Sequence, residues 1–512
     1  MNTTTVRCSN GSFIGEDQEN IQIWRNIPYA KQPVGPLRWK KPEPAEDDDG
    51  TYEAIQPVCI PIVPFTVLEG KVPQGEDCLR LNIYKAKGSD SEKRPVMVWI
   101  HGGGFMTESI SDPIYDLSKI AVKHPDILFV AVEYRMNIMG FMNFEKVPGG
   151  EEFKEAGNLG LLDQLEALRW IQKNIAAFGG DPDNVTIFGE SAGSASVTLL
   201  PLIDGSEGLF KRIIGQSANV AFTDTKEHGI IVTEHLLNHT GCKTMDDLMA
   251  LSQEELMEAL PKTMASDGKA YMGLCNFPIL DGWILPEDRT VLYEMWGDEK
   301  RAKIDMMLGS NNDEVKYFIG MQGGVQPFLE ALKWVAKKDR MQLSDDERAM
   351  MDQFMATLDG EDEVEKFQQY GNDLNFRVPN TLLAVNHARA GGNTYMYYLV
   401  KPYMAPSVGA MHATEICFLF DNPYVSAEWE GEPGGMAECE FRDVSKEMWT
   451  NFARCGNPST RDYEWKQFSG DNRQTMVFDE TIGMQKDIKG KREDLMMSWC
   501  KRLGNGGSKR FC

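Results

Sequence analysis

The chain has 512 residues, with 53 Lys and Arg against 77 Asp and Glu, a formal charge of −24. So acidic a surface repels nucleic acid and anionic lipid, which leaves neutral or cationic small molecules as the partners to expect. The length exceeds that of an ordinary domain, yet it suits one large α/β catalytic domain, residues 1–512, that carries insertions.

No apolar run approaches the ~20 residues of a membrane span, and residues 1–8 lack the basic start and apolar core of a secretory signal. The expectation is a soluble cytoplasmic protein with no membrane partner. Ten cysteines do not make a disulfide scaffold in a chain this long, and no Cys-x-x-Cys or His-Glu-x-x-His spacing offers a metal site.

In chain order, Gly11–Gly15 and Ile21–Ala30 alternate like short antiparallel strands joined by a tight turn. Pro33-Val34-Gly35-Pro36 reads as loop, and residues 43–52 as acidic and exposed. Pro95–Ile100 is an unbroken apolar run, the pattern of a strand covered on both faces, and it ends directly in His101-Gly102-Gly103-Gly104-Phe105. Neither a P-loop pattern nor Gly-x-Gly-x-x-Gly is present there, so a phosphate cradle is a poor fit. A loop whose bare N–H groups face a developing oxyanion fits better.

Ile127–Val132 reads as a second buried strand. Leu162, Leu165, Leu168, Ile171, Ile175 and Phe178 then recur at helical spacing, before a turn at residues 179–182. Val185–Phe188 follows as a strand and runs into Gly189-Glu190-Ser191-Ala192-Gly193, a Gly-x-Ser-x-Gly pattern before a run of small residues suited to a helix start. Strand, helix and strand in alternation predict a large, mostly parallel sheet flanked by helices. Residues 304–309 and 394–399 read as later strands, the first ending in a loop at residues 310–314 and the second followed soon after by a loop at residues 409–415, and residues 322–370 as a helical, acidic, Met-rich insertion.

Ser191 is the candidate nucleophile, and a serine hydroxyl needs a base, usually an imidazole held by a carboxylate. In the chain order of α/β-hydrolases the nucleophile comes first, then the acid, then the histidine. Of seven histidines only His387 and His412 satisfy it. His387 falls in a helical stretch where a packing role is the better reading, whereas His412 falls in a loop after a strand, where catalytic groups gather. For the acid, the loop after Leu308 offers both Asp313 and Glu314, and geometry alone does not choose between them.

These residues resemble the type-B carboxylesterase and cholinesterase family, in particular its bacterial para-nitrobenzyl-esterase-like branch. The likeness covers nearly the whole chain: Glu76-Asp77-Cys78-Leu79, His101–Phe105, Asn158–Gln164, Phe178–Pro182, Phe188–Gly193, Asp313-Glu314, His412 and Trp449–Pro458. It implies an α/β-hydrolase fold with a small N-terminal antiparallel sheet, a Ser191-His412-Glu314 triad and an oxyanion hole of Gly103, Gly104 and Ala192. It further implies ion pairs Arg38–Glu76 and Arg135–Asp163, and a supporting part for Ser217 behind the acid. Glu190 is a candidate to tune the site electrostatically, with a solvent-screened turn residue as the equal rival reading. Cys59 and Cys78 match the family's first disulfide, to be formed only under oxidising conditions. Ala413 departs from the glycine that often follows the family's histidine. Leu68 stands where cholinesterases place the tryptophan for their cationic substrate, which argues against choline esters.

The expected activity is hydrolysis of neutral, at least partly apolar carboxylic esters by a monomer or weak dimer, without metal or cofactor. Acyl transfer by the same triad is the alternative, and a non-catalytic interaction protein is disfavoured by the intact triad. Phe65, Phe105, Phe222 and Phe277 are candidate pocket residues, each with core packing as the rival reading.

Overall fold

The computed structural model describes residues 2–89, 93–266, 276–321, 330, 345–358, 362–401, 409–422 and 440–503. Most of the expected insertion at 322–370 lies outside these, as do Cys275, Cys439 and Cys512; within it, helices run Asp345–Met355 and Glu363–Asn372.

The strands are β1 Thr3–Cys8, β2 Asn10–Asp17, β3 Ile21–Pro28, β4 Asp48–Glu53, β5 Arg80–Ala86, β6 Arg94–Ile100, β7 Leu128–Val132 and β8 Gly180–Glu190. They continue with β9 Arg212–Gln216, β10 Asp224–Thr225, β11 Ile279–Leu280, β12 Asp305–Asn311, β13 Thr394–Leu399, β14 Gln474–Phe478 and β15 Ile482–Lys486. Among the described residues 13 strands form one sheet in the order β1-β2-β3-β5-β7-β6-β8-β9-β12-β13-β14-β15, with β4 beside β2 and β10 paired with β11 apart from it. From β7 to β14 every neighbouring pair is parallel.

The apolar runs account for this centre. In β6 and β7 nearly every side chain is buried, and successive residues pack on opposite faces, as a two-residue period requires. Val96, Val98, Ile100, Val130 and Ile187 enter one core cluster, while Met97, Trp99, Phe129 and Phe188 enter another across the sheet. The sheet is therefore covered on both faces, with helix Leu159–Asn174 and helix Ala192–Leu199 contributing to the first cluster.

Two expectations are refined. The N-terminal strands are antiparallel, but β3 pairs with β5, so they extend the main sheet rather than form a separate one. The acidic stretch around residue 48 is exposed, yet it forms edge strand β4, because backbone pairing with β2 outweighs the low strand propensity of Asp and Gly.

Both implied ion pairs are present. Arg135 grips Asp163 through Nε (2.8 Å) and Nη2 (2.6 Å), and its own backbone N–H adds a third bond to the same carboxylate. Arg38 holds Glu76 through Nε and Nη2, at 2.6 and 2.7 Å. All four side chains are buried, so removing one partner strands a charge in a poorly hydrated place. Asp163→Ala is expected to lower unfolding free energy by about 3–5 kcal/mol in urea denaturation, with Arg135 left uncompensated.

His387 is a packing residue, with Nδ1 2.7 Å from Thr394 Oγ1 and Nε2 3.3 Å from the carbonyl oxygen of Arg301. Burial pushes its imidazole down to about 4, and burial together with Arg454 pushes His124 down to about 4. The unfolded chain takes up both protons near pH ~6.5, whereas the folded chain refuses them until much lower pH. Stability should therefore fall as pH drops from ~6.5 towards 4, and His387→Gln should flatten that fall in a melting-temperature series. An unchanged slope would contradict this assignment.

Candidate active site

Strand β8 ends at Glu190, and Ser191 turns the chain into helix Ala192–Leu199 with φ 54° and ψ −120°. That left-handed conformation is strained for any side-chain-bearing residue, and its neighbours relieve the crowding. A methyl carbon at Gly193 would lie 2.0 Å from the carbonyl oxygen of Ile100, and one at Gly189 2.5 Å from the carbonyl carbon of Gly193. Only hydrogen fits at either place, which is why both positions of the Gly-x-Ser-x-Gly pattern are glycine.

The glycine loop after β6 packs directly on this elbow. A methyl carbon at Gly102 would come within 3.3 Å of Ser191 Cβ. Gly103, Gly104 and Phe105 all have positive φ, and the Gly103 carbonyl oxygen accepts the N–H groups of Met106 and Thr107 at 3.0 and 3.1 Å. Among the described residues neither Gly103 nor Gly104 donates a backbone hydrogen bond. Ala192 is the first residue of its helix, so its N–H has no acceptor within the helix.

His412 lies in the loop after β13 and is buried. Its Nδ1 is 2.6 Å from Glu314 Oε2, and the other oxygen of Glu314 accepts the backbone N–H of Asn311 at 2.7 Å. Asp313 serves a different purpose: its carboxylate accepts the Ala410 N–H at 3.0 Å and pairs with Lys316, bracing the loop that carries His412. Of the two adjacent carboxylates, Glu314 is the one in contact with the ring. Ala413 has φ 65°, the left-handed conformation that glycine adopts without strain.

The other face of the imidazole is directed at the elbow. Nε2 lies 3.1 Å from Glu190 Oε1, the residue before Ser191, but without hydrogen-bond geometry, so neither atom has a hydrogen-bond partner among the described residues. No hydrogen bond joins Ser191 Oγ to His412. Burial, followed by the nearby charges of Glu415, Glu108 and Glu314, holds the carboxyl of Glu190 well above the usual carboxylate range. Ser217, at φ 58° after β9, is buried, and its hydroxyl makes no hydrogen bond among the described residues. The supporting part implied for it therefore has no contact behind it here.

Several residues at this site carry no sequence motif. Glu415 accepts from Asn311 (2.6 Å) and Gln216 (3.2 Å), while Asn311 also donates to the Met411 carbonyl (2.8 Å), tying β9 and β12 to the loop of His412. Phe376, Phe318 and Tyr317 surround the imidazole, with ring centroids 5.1, 5.3 and 5.8 Å away. Phe376 stands on a π-helical turn, Asp373–Arg377. Tyr317 and Phe318 had one available signal, their position one helical turn after Glu314. Of the expected pocket residues, Phe222 touches both Phe376 and Phe277, Phe105 is fully buried against Phe141, and Phe65 is exposed.

Cys59 and Cys78 are free thiols, the first pushed up to about 11 and the second well above its usual range, chiefly by burial. Among the described residues no group of three or more His, Cys, Asp or Glu could hold a metal ion, and no helix is long and apolar enough to cross a membrane.

Comparison with known proteins places this geometry in context. The model of the carboxylesterase family matches residues 2–496. The para-nitrobenzyl esterase of Bacillus subtilis (strain 168) is 32% identical over 523 residues, covering 97% of this chain and 99% of that protein. Liver carboxylesterase 1 of Oryctolagus cuniculus is 32% identical over 497 residues, covering 88% and 84%. Among solved structures, the Geobacillus stearothermophilus carboxylesterase at pH 6.2 superposes with a TM-score of 0.83 at 30% identity, over 96% of this chain and 100% of that one. A likeness that runs through the entire sheet and its elbow, at this identity, leaves one assignment: the chain belongs to the carboxylesterase family, an α/β-hydrolase that acts as a carboxylic-ester hydrolase.

Proposed function

We propose that the enzyme cleaves its ester through an acyl-enzyme on Ser191, with His412 as base and Glu314 as its partner. The observation that carries this reading is the 2.6 Å contact between Glu314 and His412 Nδ1, which leaves Nε2 directed at the elbow. A proton held on Nδ1 by the carboxylate frees the Nε2 lone pair for the serine hydroxyl. Ser191 Oγ attacks the ester carbonyl as its proton passes to Nε2. The carbonyl oxygen becomes an oxyanion, which Gly103, Gly104 and Ala192 stabilise through their N–H groups, each worth roughly 3 kcal/mol of barrier when preorganised.

Collapse of this tetrahedral species breaks the bond to the alcohol, which leaves with the proton from Nε2. Water then enters, gives a proton to Nε2, and attacks the acyl carbonyl; breakdown returns that proton to Ser191 and releases the acid. Phe376, Phe318 and Tyr317 around the imidazole favour a neutral substrate with an apolar part, since an apolar wall gives an ionic group no compensation for lost water.

Ser191→Ala is expected to abolish nearly all turnover of a short-chain nitrophenyl ester while the circular dichroism spectrum stays that of the parent; substantial residual hydrolysis would overturn the assignment.

A further inference from the structure

Behind the glycine loop lies a buried pair that the reaction above leaves unused. Ile100 and Val132 are partners on the parallel strands β6 and β7, so the residues that follow them, His101 and Glu133, emerge side by side at the C-terminal ends of these strands. His101 Nε2 lies 2.9 Å from Glu133 Oε1, and both side chains are fully buried. The other oxygen of Glu133 accepts the N–H of Ile110 at 3.0 Å and the hydroxyl of Ser109. One carboxylate therefore holds both ends of the segment that contains Gly102, Gly103 and Gly104.

The far side of the ring completes the arrangement. His101 Nδ1 lies 3.2 Å from the carbonyl oxygen of Gly102. The ring of Tyr134 stacks on His101 with centroids 4.5 Å apart, and its hydroxyl donates to the His101 carbonyl at 2.9 Å. Oxygens face both ring nitrogens, so a proton on Nδ1 is donated to the Gly102 carbonyl and one on Nε2 to the Glu133 side chain. The carbonyl of Gly102 and the N–H of Gly103 belong to one peptide unit. A hydrogen bond accepted by that carbonyl polarises the unit and strengthens its N–H as a donor.

We propose that Glu133 and His101 are positioning residues that orient and polarise the Gly102–Gly103 peptide, so that the Gly103 N–H meets the oxyanion without reorganisation. This inference rests on the oxyanion reading of the glycine loop given above. Such a donor acts on the transition state far more than on bound ester, so its loss lowers kcat and leaves KM nearly unchanged.

The test uses the full chain, first showing that hydrolysis of a short-chain nitrophenyl ester depends on Ser191. Glu133→Gln should lower kcat about tenfold with KM within about twofold, and weaken inhibition by an aryl trifluoromethyl ketone, which forms a hemiketal oxyanion, by the same factor. His101→Gln keeps an amide donor towards Glu133 but loses the contact with Gly102, and should show the same paired losses; it decides the matter if Glu133→Gln does not fold. Both quantities unchanged in a folded variant, or a loss confined to KM, would overturn the positioning role and leave the ester-hydrolase reading standing. Hydrolysis that survives Ser191→Ala, or a ketone that does not inhibit the parent enzyme, would instead overturn the oxyanion reading and this inference with it.

Discussion

Everything at the site depends on one close approach, that of the elbow to the end of β6. With the Gly193 position only 2.0 Å from the Ile100 carbonyl oxygen, measured to where a side-chain carbon would begin, no residue larger than glycine lets helix Ala192–Leu199 start where it does. That approach brings the end of β6 against the end of β8, and hence the glycine loop against Ser191. It exists because β6 and β8 are parallel neighbours paired from Val96 with Val185 to Ile100 with Gly189, both buried on the two faces of the sheet. Register within a doubly covered sheet is strongly specified, since a slip of one residue would exchange the faces of the whole strand.

Around this joint the chain places an unusual number of buried carboxylates. Glu133, Glu190, Glu314 and Glu415 are each at most 2% exposed. A buried carboxylate is costly unless donors replace its lost water. Glu314, Glu133 and Glu415 each find such donors in backbone N–H groups, amides, hydroxyls or imidazoles. Glu190 Oε1 finds none among the described residues, and burial with three like charges nearby holds its carboxyl well above the usual carboxylate range. The result is a site in which His412 has a hydrogen-bonded carboxylate at Nδ1 and a carboxyl that resists ionisation beside Nε2.

The aromatic wall shows how scaffold and site are joined. Phe376 reaches His412 from a π-helical turn, where one extra residue per turn redirects side chains that an α-helix would aim elsewhere. The same turn contains Arg377, which is anchored to Glu493 near the C-terminus at 3.1 Å. A side chain beside the imidazole is thus held in place by an ion pair made more than a hundred residues later.

The sequence alone determined those features whose physical cause is local. The strand-turn-helix at Ser191 and the glycine run after Ile100 were legible because backbone crowding demands glycine at set spacings, and the central strands because burial on both faces demands unbroken apolar runs. His412 stands out as a candidate by elimination, since few histidines exist and only two follow both other candidate members. What only the tertiary structure decided involves partners far apart in the chain: the aromatic ring of Phe376, Phe318 and Tyr317 about His412, the Glu415 brace, the Glu133–His101 pair and the joining of the N-terminal strands to the main sheet. A phenylalanine or glutamate meets the same local rules in a core, on a surface or at an active site, so its neighbours are set by the crossovers of the sheet and not by the residues beside it.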